Sequence, residues 1–252
     1  LNPEFQNDFN YYVGKFFFNY AKSDLAIQFL TKVTKDSPDY PEAMYVMGVA
    51  RLDEKVNDTA GALKNFQAAA QAAEANTEGN EEILQLGLLA LARTWYEVDL
   101  FDVALYYYQK IPKDSARNAE STFEQAWTYF VKNDHRRALG VFHTLHSPYF
   151  SKWYFPDLYI MEAAVYVNLC KFERAQIAMA EFQKRYLDKK PRLDKFLAET
   201  TEPNAYWTAM VTYQGQDTDD GIPAMFMNAV LNDLEFYNMY NVVKNLRNGT
   251  VE

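Results

Sequence analysis

Five times along this chain a small residue is followed, at a short and nearly constant distance, by an alanine. That spacing limits the fold more than any other feature. Gly14 precedes Ala26 by 12 positions, and the pairs Ala92/Ala104, Ala126/Ala138 and Ala163/Ala175 repeat the interval, while Gly48 precedes Ala62 by 14. A bulky residue follows the first small one three places on, at Phe17, Trp95, Tyr129 and Tyr166, with Leu52 one place late in the second set. Another follows the alanine four places on, at Leu30, Phe66, Tyr108, Phe142 and Met179. Steps of three and four return to the same face of a helix. Each set therefore reads as two helices whose small residues let the backbones approach, while the large residues fill the space beside them. The alanines advance by 36, 42, 34 and 37 residues, and self-similarity at such a period marks a stacked helix–turn–helix array. The exceptions fall where turns belong. The extra residues of the second set lie between Asp53 and Thr59, and the 42-residue step contains the polar run Asn76-Thr77-Glu78-Gly79-Asn80.

Proline placement agrees: Pro38, Pro41, Pro112, Pro148, Pro156, Pro191, Pro203 and Pro223 fall between the expected helices or at their starts, where a missing amide is tolerated. Over about residues 8–190 the pattern resembles the tetratricopeptide-repeat family. Its irregular repeats, rich in Tyr and Phe, look like those of the bacterial envelope group. The first-helix Trp and Leu of the family pattern are often replaced, and its terminal Pro is clear only at Pro38. The resemblance implies an all-α fold, a right-handed superhelical solenoid of antiparallel helix pairs with C-terminal capping helices. Residues 1–190 would hold about five repeats. Residues 191–252 would cap them, with a short helix over Ala205–Tyr213, a polar turn over Gly215–Gly221 and one long helix from near Pro223. Apolar residues from Met225 to Leu246 give that last helix its packing faces. The chain begins with Leu1 rather than Met, so it is expected to be a piece of a longer or processed protein, and a targeting signal cannot be read from it.

Charge and motifs narrow the function classes. The net charge is −9, with 34 acidic residues against 25 basic ones, and no basic run could follow a phosphate backbone, which disfavours nucleic acid. No apolar run approaches the roughly 18 residues of a membrane span. The lone Cys170 excludes an internal disulfide, and in its apolar stretch it is expected to be a buried, inert thiol. No phosphate-binding loop, dinucleotide fingerprint, zinc-protease motif or nucleophile elbow occurs, so catalysis is not expected and no cofactor is implied. His143 and His146 share one expected helix with His135 just before it, but no carboxylate near in sequence completes a metal set. Asp217-Thr218-Asp219-Asp220-Gly221 resembles a calcium loop, yet its Gly comes early and Asn228 stands where a Glu ligand is needed.

What remains is a surface. In tetratricopeptide proteins the first helix of each repeat lines a concave groove. The resemblance places Tyr11, Lys15 and Phe18 there, then Tyr45, Val49 and Leu52, then Leu89, Arg93 and Tyr96, then Phe123, Trp127 and Phe130, then Ile160, Ala164 and Val167. Aromatics are enriched among these relative to the 16% of the whole chain. Such a groove suits a peptide or protein partner with apolar anchors, and an acidic group on it could meet Lys15 or Arg93. The chain therefore reads as a non-catalytic interaction scaffold within a multiprotein assembly. The alternative is a structural domain of a larger envelope assembly protein, its groove filled by its own C-terminal helix.

Overall fold

Turn chemistry shapes this chain as much as helix propensity does. The structure, a computed structural model, describes residues 2–76, 78–215 and 222–249. Within these residues all regular structure is helical, and no strand occurs. The first eight helices are α1 (Pro3–Asn19), α2 (Ser23–Leu30), α3 (Tyr40–Arg51), α4 (Thr59–Ala75), α5 (Glu81–Glu97), α6 (Phe101–Tyr108), α7 (Asn118–Val131) and α8 (His135–Leu145). Then come α9 (Pro156–Asn168), α10 (Phe172–Phe182), α11 (Lys190–Glu199), α12 (Pro203–Val211), α13 (Ala224–Asn232) and α14 (Leu234–Asn248). Two compact units divide the chain, residues 1–128 and 129–252, with the boundary inside α7.

The turn inside each repeat is the same object five times. Ala21, Asn57, Asp99, Asn133 and Cys170 hold φ between 48° and 61°, each five residues before the alanine of its second helix. In four of them the next amide reaches back to the carbonyl of the first-helix aromatic. Lys22 donates to Phe17, Leu100 to Trp95, Asp134 to Tyr129 and Lys171 to Tyr166, at 2.8–3.0 Å. This is the Schellman closure, which satisfies carbonyls that a helix end leaves without partners. In the second repeat Asp58 donates instead to Arg51 (2.8 Å), spanning the two extra residues. Asp58 and Asp134 also cap the helices that follow, accepting from the amides of Gly61 and Arg137. The expectation of a buried Cys170 is overturned, because the thiol lies on this left-handed turn and is exposed.

Packing explains the small residues. A Cβ on Gly14 would lie 2.6 Å from Cγ of the fully buried Leu30, and one on Gly48 would lie 2.5 Å from the Phe66 ring. Ala92, Ala104, Ala126, Ala138, Ala163 and Ala175 are buried as the register requires. From α1 to α6 each helix packs on the next, and first helices also meet directly, α1 with α3 and α3 with α5. In the second unit α8 packs on α9 and α9 on α10, and α13 packs on α14.

The C-terminal part departs from expectation in two respects, the first being α11 (Lys190–Glu199), a helix that the sequence pattern does not suggest. Second, the single long helix is two, because Asp233 takes an extended backbone (ψ 118°) and its carboxylate accepts from the Phe236 amide at 2.7 Å, starting a new helix. The short helix forms as Pro203–Val211. The calcium-like run 217–221 lies outside the described residues.

These turns and contacts predict opposite effects of glycine. At Ala21 and Cys170 the left-handed backbone strains an L side chain by about 1–2 kcal/mol, so Ala21→Gly and Cys170→Gly should each raise stability in denaturant titrations by about 1 kcal/mol. Gly48→Ala should lower it by about 1–3 kcal/mol through overpacking against Phe66.

Candidate partner-binding site

The helices of the first unit bring four of the sequence-selected residues into one cleft. Arg93 and Tyr96 come from α5, and Phe123 and Trp127 come from α7; Glu97, Tyr108, Glu124 and Thr128 complete a cleft of about 290 Å³. The Trp127 indole N–H donates to the Tyr96 hydroxyl at 2.9 Å, tying the two helices together. Trp127 nonetheless keeps 38% of its surface exposed. The Tyr96 ring also lies 5.5 Å from that of Phe101.

Arg93 is engaged within the protein. Its Nε donates to both oxygens of Glu124 (3.1 and 3.0 Å), and an NH2 group bonds Glu124 and Glu120. The Glu124 carboxylate, above all, holds the guanidinium protonated beyond its ordinary range. An acidic ligand group would have to displace these partners first. Burial, reinforced by Glu124, pushes the Tyr108 hydroxyl well above its usual range, so it stays a neutral hydroxyl at the cleft floor.

The other sequence-selected residues lie elsewhere. Tyr11 is only 3% exposed and belongs to a core with Ala26, Leu30 and Met44, so it offers no surface to a partner. Its hydroxyl accepts from Lys15 Nζ (3.1 Å), which also bonds Glu42 at 2.6 Å. Burial would lower the Lys15 ammonium, but the bonds to Glu42 and Tyr11 outweigh it and leave the pKa raised. Tyr45 is half-buried against Phe66, ring centroids 5.9 Å apart, and burial raises its hydroxyl. Phe130 falls in the second unit and is partly buried.

Sequence reasoning missed the carboxylates. Lys15 bonds Glu42 and Arg93 bonds Glu120, each pair 27 residues apart. In both, the cation follows the small residue of one repeat by one place, and the acid precedes that of the next by six. That recurring interval was the available signal. Arg117 adds pairs to Glu82 (3.4 Å) and Glu120 (3.5 Å). Lys15, Arg93 and Arg117 are therefore each ion-paired, and Glu97 adds a further carboxylate to the cleft.

In the second unit, folding gives His146 the carboxylate that local sequence lacks. Its Nε2 lies 2.8 Å from Glu162, in a pocket with Tyr159, Tyr166 and Arg174. Among the described residues no three metal-ligating side chains gather. No helix there is long and apolar enough to cross a membrane.

Comparison with known proteins places this geometry in a fold. The crystal structure of MamA protein is similar, with a TM-score of 0.60 at 14% identity, over 74% of this chain and 94% of that one. At such identity the likeness is one of fold, a tetratricopeptide-like helical repeat. No protein-family model and no curated protein matches the chain.

The tyrosines supply a pH test. Burial first of all pushes Tyr11 and Tyr186 up to about 12 from an ordinary 10.0. The folded state then holds protons that the unfolded state has released, so the stability contributed is whole below pH 10 and is lost as pH rises towards 12. Absorbance titration of the phenolates should show a late-ionising group of tyrosines, with denaturant midpoints falling over the same interval.

Proposed function

We propose that this chain is a non-catalytic protein-interaction scaffold that takes a peptide, or a segment of a partner protein, at the cleft between α5 and α7. The observation that carries the reading is the cleft itself. Half-exposed Trp127 is locked to Tyr96 beside Phe123, and about 290 Å³ accommodates one or two side chains rather than a whole cofactor. Large aromatics held rigid at the centre of a surface are the residues on which binding energy concentrates. With Arg93, Lys15 and Arg117 already paired and Glu97 at the rim, the partner best suited to the cleft carries an apolar anchor next to a basic group. The acidic balance of the chain argues against nucleic acid as that partner.

The second reading, a structural domain whose groove is filled by its own C-terminal helices, has less support. In the second unit Ile160 and Val167, the fifth repeat's groove residues, keep 47% and 49% of their surface exposed. α13 instead meets the segment before α9: the Phe226 ring lies 5.9 Å from Tyr154, and the Asn232 side chain donates to the Lys152 carbonyl (2.9 Å). On this basis α13 covers the segment before the last repeat rather than that repeat's groove.

Selection of a displayed random-peptide library on the chain tests the proposal. Peptides pairing an aromatic or large aliphatic residue with Lys or Arg should be enriched. Trp127→Ala and Phe123→Ala should each weaken their binding by at least tenfold, on the order of 1.4 kcal/mol or more, with helix content unchanged. Enrichment indifferent to both substitutions would move the site away from α5–α7.

A further inference from the structure

The first helix carries a surface that none of the other first helices shows. On α1 the rings of Phe5, Phe9, Tyr12, Phe16 and Tyr20 are 51–66% exposed. Their steps of four, three, four and four align them as one stripe along the whole helix. Phe5 stacks on Phe9 at 6.4 Å, and Phe16 leans on Tyr20 at 4.6 Å.

The internal repeat shows how the equivalent face of later first helices is covered. Phe9 and Phe16 stand five places before and two after Gly14. The same places in later first helices hold Ala43 and Ala50, Gly87 and Thr94, Ser121 and Thr128, and Leu158 and Val165, and all of these are buried. This is the side on which a first helix meets the helix preceding it: a Cβ on Gly87 would stand 3.4 Å from the Ala70 backbone of α4. Small side chains there allow that approach in the second, third and fourth repeats, and the aliphatic Leu158 and Val165 fill it in the fifth. The larger rings of α1 would hold a similar repeat away. The face is apolar where its equivalents are covered, yet too bulky for the same cover.

Its symmetry names a different occupant. Read in opposite directions, the stripe matches itself: Phe5 faces Tyr20, Phe9 faces Phe16, and Tyr12 falls beside its own copy. A two-fold axis needs this self-complementarity. Antiparallel pairing also opposes the helix dipoles and sets the exposed Glu4 of one copy near the exposed Lys22 of the other. Five rings at this exposure offer roughly 600 Å² per copy, so roughly 1,200 Å² for a pair, the lower bound of specific interfaces. We propose that two copies of this chain pair through α1, with Tyr12 at the two-fold axis. This surface is separate from the α5–α7 cleft, so either can fail without the other.

Sedimentation equilibrium of the 252-residue chain should show a reversible monomer–dimer exchange. Tyr12→Glu should weaken it at least tenfold, as an order of magnitude for loss of a central interface aromatic, with the melting temperature preserved. Independently of that substitution, Tyr12→Cys on a Cys170→Ser background should oxidise to a disulfide-linked dimer. Phe5→Cys on the same background should cross-link only when mixed with Tyr20→Cys. Glu4→Lys should weaken the dimer, and adding Lys22→Glu should restore it. A monomer at every attainable concentration would overturn the proposal and leave the stripe to another protein or a preceding segment. A dimer unaffected by Tyr12→Glu, or Tyr12→Cys without cross-linking, would overturn it by placing the contact on another face.

Discussion

Where the first helix of a repeat crosses the second, the Leu30 and Phe66 side chains sit so close that no Cβ fits at Gly14 or Gly48 without displacing them. Most other features of the fold depend on that approach. It requires a large residue one helical turn beyond the alanine of the second helix, to fill what the small residues vacate. It also requires a turn tight enough to bring the helices back at that distance. The left-handed residue five places before the alanine provides the turn, and its geometry persists even where the chain supplies Ala21 or Cys170 instead of glycine. Strain of about 1–2 kcal/mol at such a residue is tolerated because the buried Leu30, Phe66 and Tyr108 contribute comparable amounts each.

Between repeats a second device sets the register. Lys15–Glu42 and Arg93–Glu120 join equivalent positions of successive first helices. All four side chains are partly exposed, so each pair adds at most about 1 kcal/mol. Their effect is more one of geometry than of stability. A slip of one residue in the stacking would separate both pairs and bring Gly87 out of line with Ala70. Arg93 also lines the α5–α7 cleft, whose carboxylates are Glu97 and Glu124, so one residue that fixes the stacking also stands in the cleft.

The architecture was legible because it is periodic. Four equal intervals of 12 residues gave the repeats, and the alanines they pointed to are buried. The surface of Cys170 was not legible. Its apolar neighbours suggested a helix interior, whereas the turn at that place is imposed by the closure onto Tyr166 and leaves no mark in residue type across Ala, Asn, Asp, Asn and Cys. The break at Asp233 was hidden by the apolar periodicity running through it, although Asp is a good cap. In the cleft, Arg93, Tyr96, Phe123 and Trp127 came from the family pattern, but Glu120 and Glu124 did not, since a pairing over 27 or 31 residues shows only once the repeat register is known.

The helix surface divides its tasks between adjacent positions. On α7, Ala126 is fully buried while its neighbour Trp127 is exposed, and on α5 the buried Ala92 precedes the exposed Arg93. Because neighbours on a helix point about 100° apart, a residue one place past each small position can vary in size and charge without entering the close approach. The second helix has less freedom: in the first unit Ala104 and Tyr108 are both in the core. Variation in surface chemistry is therefore open to the first helices, while the second helices and the turns hold them in place. The place one past the small residue accordingly holds Lys15, Val49, Arg93, Trp127 and Ala164 in the five repeats.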